Sequence, residues 1–163
     1  MNDTAFAAPP QRHLQHYLIL AAFIAVVLGG GMLIGLAAPP DQWFAALRKP
    51  SFMPPNWLFA PVWSVLYVLI AIAGWRTWMR RPQSPAMAAW VIQLLANFVW
   101  SPLFFRAHSP AAALIAIAVL LVAVMVFIAQ SSRSDRVAAW LFVPYGLWVG
   151  FAALLNVAIL ALN

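Results

Sequence analysis

The sequence predicts an all-α membrane protein, a bundle of five transmembrane helices. Composition is the first ground. Of 163 residues, 66% are hydrophobic and only 7% charged, whereas a soluble domain carries about 25% charged residues. The second ground is the spacing of the polar residues. Uncharged runs occupy 17–38, 51–75, 82–105, 109–132 and 137–163. About 20 helical residues cross a hydrocarbon core roughly 30 Å thick. Each run is therefore long enough to span once and too short to span twice. The runs are apolar all round and rich in Ala and Leu, without the alternation of a membrane β-barrel. No room is left for a separate soluble domain.

Residues 1–16 are polar, with Pro9, Pro10 and two histidines, and are expected to form a disordered or surface-lying tail. The five-helix domain then takes residues 17–163. The run at 17–38 is too long for a signal-peptide core of about 7–15 residues, so it is taken as the first span. It holds Gly31 and Gly35, a spacing that admits close approach of another helix inside the monomer or in a dimer. The second span should begin near Asn56 and end near Arg80, with Pro61 in its first turns, where proline costs least. Trp75, Trp78, Arg76 and Arg80 suit the membrane interface at its far end.

The third span, from about Pro85 to Phe105, carries Gln93 and Asn97 one helical turn apart, with Trp100 on the same face. Polar groups in hydrocarbon are costly, so this face should point into the bundle. Bonding between helices and contact with a ligand are both open to these amides. The fourth span, Ala111 to Gln130, has no polar group in its middle and reads as scaffold or lipid-facing. The fifth, about Val137 to Leu160, places Trp148, Ala152 and Leu155 on one face, where a large ring beside a small residue makes a notch.

The connection at 39–56, running on to Tyr67, differs from all of this. It contains Trp43, Trp57 and Trp63, the cations Arg48 and Lys49, and prolines at 50, 54, 55 and 61. Pro50, Pro54 and Pro55 cannot share one regular helix, and each drives its predecessor toward an extended backbone. The result should be a stiff aromatic loop over the mouth of the bundle. Loops held on a rigid scaffold collect binding residues.

The chemistry available is narrow. There is no cysteine, hence no disulfide and no thiolate ligand. The three carboxylates, Asp3, Asp41 and Asp135, lie in tails or loops, which disfavours ion-coupled transport. His13, His16 and His108 lie outside the spans and lack metal-ligand spacing, so no metal or other cofactor is expected. No nucleophile–base set can be assembled. The net charge of +6 is dispersed over loops and does not suit nucleic acid. Its distribution implies orientation instead. Arg12, Arg76, Arg80, Arg81, Arg133 and Arg136 share the side of the N-terminus, opposite Arg48, Lys49 and Arg106. That predicts a cytoplasmic N-terminus. What remains is an apolar, aromatic cavity with a few amides and cations at its outer mouth, a recipe for binding flat hydrophobic ligands. Arg48 and Lys49 are candidates to pair with ligand carboxylates.

Three motifs resemble the translocator protein (TspO, peripheral benzodiazepine receptor) family. They are Trp43-Phe44 with Leu47-x-Lys49-Pro50, Pro54-Pro55-x-Trp57 and Pro61-Val62-Trp63-x-x-Leu66-Tyr67; Gln93-x-x-x-Asn97-x-x-Trp100-Ser101-Pro102-x-Phe104-Phe105; and Pro144-Tyr145-x-x-Trp148-x-x-x-Ala152-x-x-Leu155-Asn156. The match runs over about residues 17–160. The resemblance implies a five-helix bundle, commonly a homodimer through the third helix, where Ala86, Ala89 and Ala96 are small enough for close packing. It also implies binding of porphyrins and similar planar ligands beneath the first loop, by Trp43, Phe44, Trp63, Asn97, Trp100, Trp148, Ala152 and Leu155. Phe44 stands where many members have Tyr. The fourth helix opens with Ala111-Ala112-Ala113, without the Trp of animal members. Val157 follows Asn156 where animal members continue into a Tyr and cation pattern for cholesterol. A bacterial, porphyrin-oriented membrane receptor or regulator is thus expected, with lipid and a second copy as its other partners. The alternative implied is light-dependent degradation of a bound porphyrin by Trp43, Trp63 and Trp148.

Overall fold

Short polar caps open several helices of this chain, and a proline follows the cap in two of them. In the computed structural model, which describes residues 10–163, the helices are α1 (Pro10–Ile24), α2 (Gly30–Ala37), α3 (Gln42–Ala46), α4 (Phe59–Arg80), α5 (Pro85–Ser101), α6 (Pro110–Ser134) and α7 (Arg136–Leu162). A π turn at Ala25–Gly29 joins α1 to α2, and a second at Pro102–Arg106 extends α5. Five continuous helical rods, His13–Ala37, Asn56–Arg80, Pro85–Arg106, Pro110–Ser134 and Arg136–Leu162, are long and apolar enough to cross a membrane.

Ser84 and Ser109 cap α5 and α6 by accepting from Met87 N and Ala112 N, each followed by a proline at the first helical position. Asp135 caps α7 through Val137 N and Ala138 N. A side-chain acceptor followed by proline satisfies a free N–H and removes another. The bends are therefore fixed by local chemistry. The polar segment 1–16 is helical over its described part. Residues 1–9 lie outside the described residues, but the chain is already helical from Pro10. His13, Leu14, Gln15, His16 and Tyr17 are exposed on that helix. Pro10 suits the first helical position, and the residues after it carry only small helix penalties.

Packing is dense between α5 and α6 and between α6 and α7, with α4 against α7 and α1 against α4. Helix α6 is thus a core element as well as a lipid-facing one. Phe127, Val124, Leu120 and Ile117 are all buried along it. Phe127 lies 3.9 Å from the Phe142 ring, and Trp90 donates to the Ile70 carbonyl at 2.9 Å. Glycines set the close approaches. A Cβ at Gly74 would overlap the Trp90 indole, and one at Gly31 would overlap the Tyr67 ring. Gly31 is therefore spent on a contact inside the protomer. Ala86 and Ala89 are likewise buried within the protomer. Two of the three alanines offered for a dimer through the third helix thus pack against the chain's own core, and a homodimer through that helix stays a proposal.

By contrast, α5 meets α2 and α4 only sparsely. The bundle is tight in the half holding Trp90 and Phe127. It opens in the half that carries α2, the start of α4 and the end of α7.

Candidate functional site

That opening is a cavity of about 350 Å³, within the usual range of roughly 300–1,000 Å³ for small-molecule sites. Its walls come from four spans. Trp63 and Tyr67 project from α4, Asn97 and Trp100 from α5, Trp148, Ala152 and Leu155 from α7, and Gly31 and Gly35 from α2. Phe44 and Met53 from the first loop form its roof. Among the described residues no charged side chain lines it.

The roof is built from residue 39 onward. Pro39 and Pro40 follow the end of α2, and Asp41 Oδ1 then accepts from Phe44 N at 3.1 Å to cap the one-turn helix α3. The turn points Phe44 inward, leaving it 7% exposed against Phe104 and Phe105. The Phe44 N–H, foremost, together with the His108 side chain, holds the Asp41 carboxyl below its usual range. Beyond α3, Arg48 exchanges two main-chain bonds with the Asn163 side chain, at 2.9 and 3.1 Å.

A polar chain closes the floor. Tyr67 OH donates to Asn97 Oδ1 at 3.2 Å, Asn97 Nδ2 donates to Tyr145 OH at 3.1 Å, and Tyr145 OH donates to Gln93 Oε1 at 2.9 Å. Gln93 is fully buried and does not line the cavity, so it serves bonding between helices. Asn97 does that and also faces the cavity. An amide has two acceptor sites and two donor hydrogens, so one of each is left over. Trp100 Nε1 donates to Asn156 Oδ1 at 3.2 Å, and Asn156 Nδ2 donates to the Pro110 carbonyl at 2.8 Å, which fixes the Trp100 ring. Trp148 Nε1 is buried without a partner. An orphan donor in a cavity wall carries a desolvation cost that an acceptor on a ligand would relieve.

Seven of the eight residues picked out from the sequence therefore meet: Phe44, Trp63, Asn97, Trp100, Trp148, Ala152 and Leu155. Trp43 does not. One residue along a helix is a rotation of about 100°, so α3 turns Trp43 away from the cavity when it turns Phe44 in. Trp43 instead stacks on His108, with ring centroids 4.4 Å apart, and meets Phe104 edge-on. The two candidate carboxylate partners also lie outside the wall. Lys49 Nζ binds the Ala45 and Leu47 carbonyls and sits 4.8 Å over the Phe44 ring, a cation at a helix C-terminus. Lining residues the sequence reading passed over include Tyr67, Phe104 and Asn156. Each stands one turn from a residue that was chosen, so helical spacing alone would have found them. Among the described residues no three His, Asp or Glu side chains gather to hold a metal.

A family model described as TspO/MBR family matches residues 22–162. The chain is 36% identical to "Tryptophan-rich protein TspO" of Chlorobaculum tepidum, over 90% of this chain and 96% of that protein. It is 32% identical to "Tryptophan-rich sensory protein" of Cereibacter sphaeroides, over 90% and 92%. It is 33% identical to "Translocator protein" of Sus scrofa, over 71% of each chain. With five spanning helices and a match over most of its length, this chain is a multi-pass integral membrane protein that belongs to the TspO/MBR family.

Proposed function

We propose that this chain is a membrane receptor for porphyrins and similar flat tetrapyrroles, which it senses or passes on. The observation that carries the reading is the uncharged cavity walled by Trp63, Trp100, Trp148 and Phe44, with an unpartnered Trp148 N–H and an Asn97 of spare bonding capacity among its lining residues. Aromatic faces favour stacking on planar rings, and a few fixed polar groups orient the ligand. Relatives named as a sensory protein and as a translocator protein agree with binding rather than with a particular reaction.

Ala152 is the sharpest probe, because it lines the cavity one turn from Trp148. Overpacking costs about 1–3 kcal/mol, and about 1.4 kcal/mol is tenfold in affinity. Ala152→Thr should weaken protoporphyrin IX binding by roughly tenfold. Tryptophan-fluorescence titration in one detergent reads this, with circular dichroism checking that the helices persist. Unchanged affinity in Ala152→Thr, with binding lost in Arg48→Ala, would place the ligand on the loop surface and defeat the proposal. The same samples under light separate binding from degradation. Porphyrin bleaching that disappears in Trp63→Phe or Trp148→Phe would mean an enzyme.

We propose a cytoplasmic N-terminus, a reading supported by the arginine-rich ends of α4 and α6. Single cysteines at Ser51 and Gln83, introduced into a chain that has none, test this with an impermeant thiol reagent on intact spheroplasts. Ser51 should label and Gln83 should not; the opposite pattern reverses the orientation.

A further inference from the structure

The roof of the cavity is fastened at a point that the ligand site itself does not use. Asp41 Oδ2 meets His108 Nε2 at 2.8 Å, while Oδ1 of the same carboxylate caps α3. His108 is 67 residues further along the chain. It sits on the bend between the second π turn and α6, at φ 50. This is the left-handed region, in which His, Asn and Asp are enriched among non-glycine residues. The bend is tied to the scaffold by Ala107 N to the Pro102 carbonyl and Ser109 N to the Leu103 carbonyl. The imidazole is thus presented by a fixed part of the bundle and the carboxylate by the roof. Trp43, next to Phe44, lies nearly parallel on the imidazole, at 19° between planes.

We infer that His108 and Asp41 form a pH-dependent latch on the roof, tight while the imidazole is protonated and loosened when it is neutral. The inference rests on the proposal that the cavity below holds the ligand, because it assigns regulation of access to that site. Both of the imidazole's contacts respond in the same direction. A charged imidazole makes an ion pair with Asp41 and a cation–π contact with the Trp43 indole. A neutral one keeps at most a weaker hydrogen bond and ordinary stacking. Histidine changes charge between about pH 5 and 8.

The other fastenings of the roof do not titrate there. Arg106, from the π turn beside His108, donates to the Ala37 carbonyl at 3.4 Å. Lys49 is turned to the far end of α3. Arg48 is held through its main chain. The first residues of α6, Ser109 and Pro110, bring no charge. Arg and Lys stay protonated throughout this range. The sign follows. The latch is therefore tight at the acid end of the histidine range and loosens as pH rises through it. It is lost again in strong acid, when the Asp41 carboxylate takes up a proton.

The test needs no ligand. Spin labels at Ala46→Cys on α3 and Gln83→Cys at the opposite end of the bundle report the roof position by double electron–electron resonance. Both sites are exposed. One narrow distance distribution is expected at pH 5.5. At pH 8.5 the open population should grow by about two- to five-fold, the factor an exposed ion pair can supply. His108→Asn tolerates the left-handed backbone and cannot ionise. Asp41→Asn keeps a capping oxygen and removes the charge. His108→Asn should give the same distribution at both pH values, with the open population raised; Asp41→Asn should also raise the open population and keep only the smaller pH response of the Trp43 contact. Identical wild-type distributions at the two pH values would overturn the latch, and so would a pH response that survives in His108→Asn. Because the distance is read in the empty protein, this outcome is independent of the porphyrin titration of Ala152→Thr.

Discussion

Replacing Asp135 by alanine should destabilise the bundle by about 2–3 kcal/mol, although the residue is remote from the cavity. Its carboxylate is 7% exposed. It takes a two-pronged bond from Arg76, Nε to Oδ2 at 2.9 Å and Nη2 to Oδ1 at 3.0 Å, and pairs with Arg80 as well. Its Oδ1 also accepts from Val137 N and Ala138 N at 3.1 and 3.3 Å. One side chain thus ties α4 to the start of α7 and caps α7. Stripping one partner from a buried pair costs about 3–5 kcal/mol, and loss of a cap about 0.5–2 kcal/mol. The full sum does not apply here. Arg76 is 24% exposed and Arg80 51% exposed, so water can take over their charges. Asp135→Asn keeps a capping acceptor and should cost about half as much as alanine. Arg80→Ala, with its half-exposed partner role, should cost under about 1 kcal/mol. Unfolding in detergent followed by helicity ranks the three. If Asp135→Ala unfolds no more easily than Arg80→Ala, the cluster is a solvated surface pair and α4 is anchored elsewhere.

What could be read before folding divides along the range of the signal. The spans were legible because bilayer thickness imposes a run length on each one, and Ser84-Pro85 and Ser109-Pro110 mark their starts. Trp63, Asn97, Trp100, Trp148, Ala152 and Leu155 were legible because helical spacing puts each set on one face, and the resemblance says which faces meet. The turn of Trp43 away from the cavity was not legible, because a five-residue helix inside a proline-rich loop has no periodicity to read. The surroundings of the loop cations were hidden for a related reason. Lys49 binds carbonyls that only α3 creates. The Asp41–His108 and Arg76–Asp135 pairs, 67 and 59 residues apart, leave no local pattern at all. Pairing across such separations is settled by which helices become neighbours. The glycines and alanines of the first and third spans were legible as close-packing residues. Whether the partner lay in the same chain was not, since Gly31 answers to Tyr67 only once α2 and α4 are in place.

The buried polar chain beneath the cavity leads to the last expectation, a loss of about 2 kcal/mol in Tyr145→Phe. Tyr145 is fully buried, and its hydroxyl is the one atom shared by Gln93 and Asn97. Removing it strands the Gln93 carbonyl and one Asn97 N–H together. Gln93 Nε2 already lacks a partner, so the whole amide would be left unbonded in a dry site. Each stranded group costs about 1–3 kcal/mol in a soluble core. Bonds between membrane helices average nearer 0.6 kcal/mol, because the separated helices find other partners. Two stranded groups at an intermediate value give about 2 kcal/mol. The cause can be separated from lost packing, because Phe keeps the ring against Phe142 and Trp63. Adding Gln93→Leu to Tyr145→Phe removes the stranded amide, and an apolar pair of similar shape is nearly neutral. The double variant should therefore be more stable than Tyr145→Phe alone. Porphyrin affinity should fall in both, by about three-fold, since Asn97 loses the bond that sets its amide toward the cavity. A double variant less stable than Tyr145→Phe would show that Gln93 is held by something other than the tyrosine.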